Sequence, residues 1–362
     1  MPTTNYNEYF MREALALAKK GWSRTGVNPL VGAVVVKGRR ILGRGFHRKI
    51  GEAHAETVSL LEAGGRARGA TLFVNLEPCC TCGRTPPCVE SILKSGVKRI
   101  VTGMRDPNPL VNGRGLEFLK QNGLEILEDI LKNDAQHLNR AYQKYITTKI
   151  PYVVIKIAGS QDNRIGTGSG ASKTGSSHRY ITGEPSRRFV HSLRSQFDAV
   201  LVGIGTVLRD DPLLTDRYVG RTNPARIVVD PHLKIPPQAR FLAGDARRII
   251  VTSPQGDPRK IEQLVALGAE IAIFEGGYYP MRSLIQRIGT WDIGSVLIEG
   301  GAIVFAQVFN EDLYDELYFF QSPAKIEQGA TLADEFDRIK AMPGVEVSGI
   351  GEDKLYHVYR NH

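Results

Sequence analysis

Residues 51–56 read Gly-Glu-Ala-His-Ala-Glu, and residues 75–88 read Asn-Leu-Glu-Pro-Cys-Cys-Thr-Cys-Gly-Arg-Thr-Pro-Pro-Cys. All 4 cysteines of the 362-residue chain lie in the second segment. Disulfides between cysteines so close in sequence could not cross-link distant parts of a chain of this length, so metal binding in a reducing compartment explains them better. The two segments together therefore predict a metal site.

Local patterns place the chemically interesting residues at the ends of predicted elements. Residues 71–76 read as a strand that ends shortly before Cys79, and Cys88 begins an apolar run with helical spacing. The apolar residues after Glu56 predict a second helix, with His54 and Glu56 in its first turn. Anionic groups are favoured at that end of a helix.

A histidine, a glutamate two residues later and a Pro-Cys pair with further cysteines form the pattern of zinc-dependent nucleobase deaminases. Zinc with three protein ligands keeps one position open and lowers the pKa of a bound water to about 7. A nearby carboxylate that does not bind the metal carries a proton to the leaving amine. The pattern predicts His54 as a ligand and Glu56 as the proton carrier. Beside Cys79, the spacing leaves both Cys82 and Cys88 open as the third ligand.

The chain is long enough for two domains, and strands alternate with helices throughout. Residues 28–47 predict a β-hairpin, and Pro151 ends a helical pattern over residues 131–145. We expect a first domain at residues 1–149, folded as an α/β/α sandwich, and a second α/β domain at residues 150–362. Strands of the second domain are predicted at residues 152–157, 198–203, 226–230, 248–252, 270–274, 295–299 and 316–320.

Composition narrows the class of protein. A hydrophobic content of 42% and a charged content of 23% suit a globular protein with real cores. The net charge of +9 is compatible with nucleic acid, with phosphorylated small molecules, or with a generally basic surface. No apolar run reaches membrane-spanning length and no export signal begins the chain, so we expect a cytoplasmic protein without membrane contact.

The motifs resemble the deaminase half of the bifunctional riboflavin-biosynthesis deaminase/reductase family. The matching pieces are His-Ala-Glu at residues 54–56, Glu-Pro-Cys at residues 77–79 and Gly-Arg-Thr-Pro-Pro-Cys at residues 83–88. The resemblance implies a cytidine-deaminase-like fold in which Glu56 is catalytic. The implied zinc ligands are His54, Cys79 and Cys88. The chain departs from the family by carrying Cys80 and Cys82, which we interpret as thiols without a role in the site.

Four motifs of the same family imply contacts to a phosphorylated pyrimidine. They are Asn-Pro-x-Val-Gly, Gly-x-His, Gly-Arg-Thr-Pro-Pro-Cys and Asp-Pro-Asn-Pro, and all occur in this sequence. The implied substrate-binding residues of the deaminase are Asn28, His47, Arg84, Asp106 and Asn108, with Arg84 facing the phosphate. Asn28 and Asn108 also suit ordinary turns before proline.

The second half resembles the reductase half of that family, which has a dihydrofolate-reductase-like fold and uses NADPH. The matching segments are Lys156-x-Ala158-x-Ser160-x-Asp162, residues 180–182, residues 206–217 and residues 298–301. The implied cofactor-binding residues are Ala158, Tyr180, Thr206, Asp210, Gly301, Ala302, Ile303, Val304, Phe305, Ala306 and Gln307. The implied substrate-binding residues are Ser177, Arg194, Leu214, Arg217 and Glu299, with Arg194 and Arg217 holding the substrate phosphate. The sequence departs from the family at Asn163, where glycine is typical.

The resemblance covers nearly the whole chain and implies two successive activities. The first is hydrolytic deamination of 2,5-diamino-6-ribosylamino-4(3H)-pyrimidinone 5′-phosphate, and the second is NADPH-dependent reduction of the ribosyl group to ribityl. It also implies a homo-oligomer and no nucleic-acid partner.

Two alternatives stay open on the residues alone. A nucleic-acid deaminase with an appended domain would explain the positive charge and the Cys79-x-x-Cys82 spacing, although no cluster of base-stacking aromatic residues accompanies the basic ones. A structural zinc module would need four ligands and a closed site.

Overall fold

The computed structural model describes residues 5–82, 85–166, 180–216, 218, 223–274, 280–326 and 330–360. The chain divides into two compact units, Met1–Ile150 and Pro151–His362. Within the described ranges, no helix is both long enough and apolar enough to cross a bilayer.

The N-terminal unit is built on a five-stranded sheet in the order β2-β1-β3-β4-β5. Strand β1 runs antiparallel to β2 and β3, whereas β3, β4 and β5 run parallel. The strands are β1 (Gly32–Lys37), β2 (Arg40–Phe46), β3 (Thr71–Leu76), β4 (Arg99–Met104) and β5 (Glu125–Leu127). The helices are α1 (Tyr6–Ala18), α2 (Ala55–Ala63), α3 (Cys88–Ser95), α4 (Arg114–Gln121), α5 (Lys132–Leu138) and α6 (Arg140–Thr148). The predicted hairpin is confirmed as β1 and β2.

Glycines let helices pack directly on both faces of this sheet. A Cβ atom at Gly32 would lie 2.1 Å from the carbonyl oxygen of Ala14 in α1. One at Gly45 would lie 2.1 Å from the carbonyl oxygen of Ala55 in α2. Gly45 pairs with Ala33, the neighbour of Gly32, and successive residues of a strand point to opposite faces. The sheet is therefore covered on both sides, and the first turn of α2 lies against the backbone of β2.

The helical pattern predicted over residues 131–145 is two helices rather than one. Asn139 separates α5 from α6 and has φ −100° and ψ 17°. Its side-chain oxygen accepts a hydrogen bond from the Leu30 N–H at 2.8 Å, and its Nδ2 donates to the Leu30 carbonyl at 3.1 Å. The break fixes the loop that carries Asn28 in place.

The C-terminal unit is built on a nine-stranded sheet in the order β11-β10-β9-β8-β12-β6-β13-β16-β15. All strands from β11 at one edge, through β10, β9, β8, β12 and β6, to β13 run parallel. Strand β16 runs antiparallel to β13, and β15 runs antiparallel to β16. The strands are β6 (Tyr152–Gly159), β8 (Ala199–Gly203), β9 (Ala225–Val229), β10 (Arg248–Thr252), β11 (Glu270–Ile273), β12 (Ser295–Gly300), β13 (Glu316–Gln321), β15 (Glu346–Ile350) and β16 (Asp353–Tyr359), with a separate pair β7 (Arg164–Ile165) and β14 (Ala330–Thr331).

Helices follow most of the parallel strands of this sheet. They are α7 (Glu184–Arg194), α8 (Ile204–Asp210), α9 (Pro258–Ala266), α10 (Met281–Gly289), α11 (Ala302–Asn310) and α12 (Ala333–Lys340). The strands predicted from residue 152 to residue 320 are confirmed, while α10, α12 and the β15–β16 hairpin lie outside the predicted elements. Asn163 has φ 61°, a left-handed conformation that asparagine tolerates better than most residues, so its replacement of glycine costs little.

Candidate active sites

The side chains of His54, Cys79 and Cys88 meet in the N-terminal unit, and their ligand atoms all lie within 4.8 Å of one another. His54 Nδ1 is 3.2 Å from Cys88 Sγ and 3.5 Å from Cys79 Sγ. Within the part of the chain that the structure describes, this is the one group of three or more His, Cys, Asp or Glu side chains that could hold a metal ion. Cys82 is exposed and stands apart from the group. One imidazole and two thiols suit zinc with an open fourth position.

Element ends bring these three side chains together. Cys79 comes shortly after β3, Cys88 is the first residue of α3, and His54 is the N-cap of α2. The Cys88 N–H points at Cys79 Sγ over 3.4 Å, so the start of α3 stabilises a thiolate at Cys79.

The negative charge on Cys79 favours binding of a cation by the three grouped side chains. A hydrogen bond from the Cys88 thiol, helped by His54 and opposed by burial, lowers the pKa of Cys79 to about 4. The same hydrogen bond, together with burial, raises the pKa of Cys88. A thiolate, a second thiol and an imidazole form a donor set suited to zinc, because zinc binding displaces the remaining proton from such ligands.

Thr85 completes the surroundings of His54. Its Oγ1 lies 3.2 Å from His54 Nε2, which leaves Nδ1 to face the two sulfur atoms. Such an outer partner fixes the orientation of a ligand imidazole. Thr85 is absent from the residues singled out in the sequence, although the Gly-Arg-Thr-Pro-Pro-Cys motif contains it.

Glu56 is buried beside the three ligands in the first turn of α2, with 3% of its surface exposed. Among the residues that the structure describes, none forms a hydrogen bond with its Oε2. Burial, reinforced by the charge of Cys79, raises the pKa of Glu56 to about 7. A carboxyl group with such a pKa can accept and release a proton at neutral pH.

Asn28 and His47 lie next to one another and close to His54. Asn28 Nδ2 is 3.1 Å from His47 Nε2, and His47 Nδ1 is 3.5 Å from the Ala53 carbonyl. The His47 and His54 rings are 5.3 Å apart. Burial, followed by the charge of His54, lowers the pKa of His47, so the ring is neutral. If the neutral ring donates from Nδ1 to the Ala53 carbonyl, its Nε2 accepts a hydrogen bond from the Asn28 amide, and this bond orients the Asn28 side chain.

Asp106 is buried in the loop after β4. Its Oδ1 accepts hydrogen bonds from the Tyr142 hydroxyl at 2.9 Å and from the Asn108 N–H at 2.9 Å. Burial raises the pKa of Asp106 to about 6, and the Asp106 N–H donates to Glu77 Oε2, two residues before Cys79 in the chain. Asn108 uses its side-chain oxygen within the turn, where it accepts from the Leu110 N–H. Arg84 lies outside the described residues.

The C-terminal unit contains a cavity of about 590 Å³. Ten of the residues predicted to bind the cofactor line it: Ala158, Tyr180, Thr206, Asp210, Gly301, Ala302, Ile303, Val304, Phe305 and Gln307. Arg194 and Glu299 line the same cavity, whereas Ala306 does not and Leu214 is buried elsewhere. Ser177 and Arg217 lie outside the described residues.

The junction of β12 and α11 forms one wall of this cavity. Gly301 has φ 99°, and a Cβ atom at Gly300 would lie 2.7 Å from Thr206 Oγ1. That hydroxyl is buried, and no hydrogen-bond partner for it lies within the described ranges of the chain. Glycines before the N-terminus of a helix, with a spare hydroxyl beside them, suit the pyrophosphate of a dinucleotide.

Arg194 and Glu299 form an ion pair inside the cavity. Arg194 Nη2 donates to Glu299 Oε2 at 2.8 Å, and Nη1 donates to the Thr215 carbonyl at 3.2 Å. These contacts occupy the guanidinium, so binding of phosphate by Arg194 remains a prediction that requires this pair to open.

Lys156 and His191 also line the cavity but are absent from the predicted site residues. Burial lowers the pKa of Lys156, and Glu299 acts on it in the opposite direction. Lys156 opens the matched motif Lys156-x-Ala158, which was the available signal, whereas His191 lies in α7 without a motif around it.

Comparison with known proteins places both units in one family. The model of the cytidine and deoxycytidylate deaminase zinc-binding region matches residues 4–104, and that of the RibD C-terminal domain matches residues 151–352. The riboflavin biosynthesis protein RibD of Aquifex aeolicus is 37% identical over 350 residues, which make up 95% of this chain and 96% of that protein. The chain belongs to the RibD family of riboflavin biosynthesis proteins.

Other RibD proteins agree with this assignment. RibD of Bacillus amyloliquefaciens is 39% identical over 357 residues, or 96% of this chain and 94% of that protein. The crystal structure of the deaminase/reductase of Thermotoga maritima matches with a TM-score of 0.83 at 35% identity and covers 98% of both chains. RibD of Acinetobacter baumannii matches with a TM-score of 0.84 at 34% identity and covers 99% of both chains.

Membership of the RibD family settles the class of activity. The chain is a bifunctional deaminase/reductase of riboflavin biosynthesis, with a zinc-binding deaminase domain followed by a reductase domain. The RibD C-terminal match accounts for the half of the chain that a nucleic-acid deaminase would leave unexplained.

Proposed function

We propose that residues 1–149 deaminate 2,5-diamino-6-ribosylamino-4(3H)-pyrimidinone 5′-phosphate and that residues 150–362 then reduce its ribosyl group to ribityl with NADPH. The observation that carries the first step is the buried Oε2 of Glu56, which lies beside His54, Cys79 and Cys88 and accepts no hydrogen bond from any described residue. The Thermotoga maritima relative is named diaminohydroxyphosphoribosylaminopyrimidine deaminase and 5-amino-6-(5-phosphoribosylamino)uracil reductase, the same pair of reactions.

In the deaminase, His54, Cys79 and Cys88 would hold the zinc ion. When bound, zinc supplies a water of lowered pKa. Glu56 accepts a proton and passes it to the departing ammonia, which its pKa of about 7 allows in both directions. Burial of Glu56 keeps competing water away from the carboxylate.

The pyrimidine is oriented by polar groups around the metal group. His47 holds the Asn28 amide, and Tyr142 holds the Asp106 carboxyl, so both present fixed partners to the base. Arg84 and Asn108 stay proposed contacts from the resemblance, with Arg84 on the phosphate.

In the reductase, the ten predicted cofactor residues that line the cavity would bind NADPH along its wall. When bound, NADPH supplies the hydride for the opened ribose. Backbone N–H groups at the start of α11 and the Thr206 hydroxyl hold the pyrophosphate.

Lys156 donates the proton that balances the hydride. It faces the cavity, and its lowered pKa makes its ammonium a stronger acid than an exposed lysine. Arg194 and Glu299, which line the cavity, are proposed substrate contacts of this half, and Ser177 and Arg217 stay proposed from the resemblance.

Mass spectrometry of the product tests the proposal. The zinc-loaded protein is incubated with the diaminopyrimidine phosphate, with and without NADPH. Without NADPH, we expect an amine replaced by a carbonyl; with NADPH, we expect the further gain of two hydrogens. An unchanged substrate mass in both reactions would overturn the proposal. A parallel incubation with transfer RNA that yielded deaminated bases would favour the nucleic-acid alternative.

A further inference from the structure

Glu77 lies between the end of β3 and Cys79 and is 2% exposed. The Glu77 N–H donates to the Met104 carbonyl at 2.9 Å, which continues the pairing of β3 with β4. The backbone of Glu77 is thus held by the sheet at the point where both strands end. Among the predicted site residues it has no role.

The Glu77 carboxylate accepts four backbone hydrogen bonds from a single segment, residues 106–116. Oε2 accepts from the N–H groups of Asp106 at 3.1 Å and Gly113 at 2.8 Å. Oε1 accepts from Gly115 at 3.0 Å and Leu116 at 3.4 Å. The last two residues lie in the first turn of α4, whose N-cap Gly113 has no side-chain cap of its own. A carboxylate at this position also has a favourable interaction with the helix dipole.

Glycine at residue 115 shows how closely the segment approaches the metal ligand. A Cβ atom there would lie 2.1 Å from the carbonyl oxygen of Pro78 and 3.3 Å from Glu77 Oε1. Pro78 directly precedes Cys79. The start of α4 therefore packs against the backbone that carries the metal ligand, and only glycine allows that distance.

The other end of the segment carries Asp106 into the deaminase site. Its N–H is held by Glu77, two residues before Cys79 in the chain, while its side chain accepts a hydrogen bond from the Tyr142 hydroxyl. Displacement of the segment would therefore move Asp106 relative to Cys79. The carboxylate of Glu77 is the part that ties the two together.

We infer that Glu77 is a positioning residue of the deaminase, which sets the distance between the metal group and Asp106 through its four backbone hydrogen bonds. The inference rests on the proposed function of Asp106 as a substrate contact. It assigns to the glutamate of Glu-Pro-Cys a task distinct from metal binding and from proton transfer.

Glu77→Gln tests the inference in the full, zinc-loaded chain. The amide has the same shape, but its nitrogen carries hydrogens and cannot accept from backbone N–H groups. We expect the deaminase KM for the pyrimidine substrate to rise about tenfold, with kcat and zinc content unchanged. Reduction of pre-deaminated substrate should be unaffected. The matched control is Glu117→Gln, an exposed position in α4, which should behave as wild type.

A second variant covers the case in which Glu77→Gln fails to fold. Gly115→Ala forces the start of α4 away from Pro78 without altering the carboxylate, and it should raise the same KM. An unchanged KM would overturn the inference, and so would a loss of activity that only follows the loss of folded, zinc-loaded protein. Glu56→Gln is measured alongside. If Glu56→Gln abolishes deamination while Glu77→Gln and Gly115→Ala leave the KM unchanged, the proposed function stands and the inference falls; if Glu56→Gln still deaminates, the proposed function itself falls.

Discussion

Arg194 and Glu299 form a bidentate ion pair on the wall of the reductase cavity, with side chains only 13% and 5% exposed. Burial is the largest effect and would raise the pKa of Glu299, but the charge and hydrogen bonds of Arg194, together with the charge of Lys156, outweigh it and keep the pKa of the carboxyl below its ordinary value. The pair holds two proposed substrate contacts in one arrangement. Its energetics can be measured without substrate.

Glu299→Gln should destabilise the reductase unit because it leaves a buried guanidinium without its counter-charge. Breaking one partner of a buried pair costs about 3–5 kcal/mol. Urea unfolding of the full chain measures the loss. The matched control is Glu270→Gln, which removes an ion pair with Arg247 whose side chains are 51% and 38% exposed, and it should cost less than about 1 kcal/mol. Equal losses for the two variants would contradict the account.

The stability supplied by Glu299 should depend on pH in one direction. Because its folded pKa is lowered, the stabilisation is fully present above the ordinary carboxyl pKa of 4.5 and is lost as pH falls through the lowered folded value. The difference in unfolding free energy between wild type and Glu299→Gln should therefore shrink in acid. A difference that grows as pH falls below 4.5 would show the opposite sign of shift.

Lys156→Met should impair reduction without impairing cofactor binding. Loss of a positioned proton donor lowers a rate by about 10²–10⁴-fold. Steady-state kinetics give kcat/KM for reduction, and fluorescence titration gives the Kd of NADPH. This Kd should stay within about twofold of the wild-type value, well below the tenfold change that corresponds to roughly 1.4 kcal/mol. The exposed Lys354→Met is the control and should match wild type in both measurements. A large rise in the Kd of NADPH would instead make Lys156 a cofactor-binding residue.

Replacement of single cysteines should separate ligands from bystanders. Cys88→Ser removes one of the three grouped donors and should abolish zinc binding, whereas Cys82→Ser should retain one zinc per chain because Cys82 is exposed and outside the group. Metal analysis of the purified variants after dialysis measures this. Loss of zinc from Cys82→Ser would indicate a closed four-ligand site.

Much of the deaminase site could be predicted from the sequence because its key residues sit in short motifs at element ends. His54, Cys79 and Cys88 belong to such motifs, and the structure brings them together. The spacing alone did not decide between Cys82 and Cys88. That decision depends on how the loop before α3 folds, a property with no periodicity to detect.

The supporting residues were not predictable for a different reason. Tyr142, Asn139 and Glu77 act through hydrogen bonds to residues distant in the chain. An isolated polar residue in a helix or at a strand end has the same local pattern whether it is exposed or buried in such a contact. In the reductase, the resemblance named Gly301 and the cavity-lining residues of α11, while the pairing of Arg194 with Glu299 appeared only when α7 and β12 were placed side by side.

The Glu56→Gln variant tests the central claim most directly. Its zinc content is measured by metal analysis, and its products from the diaminopyrimidine phosphate and from pre-deaminated substrate are measured by mass spectrometry with NADPH present. We predict one zinc per chain, no deaminated product from the first substrate, and normal gain of two hydrogens by the second. Deamination at the wild-type rate by the zinc-loaded variant would contradict the account, because it would remove the buried carboxyl group from the reaction.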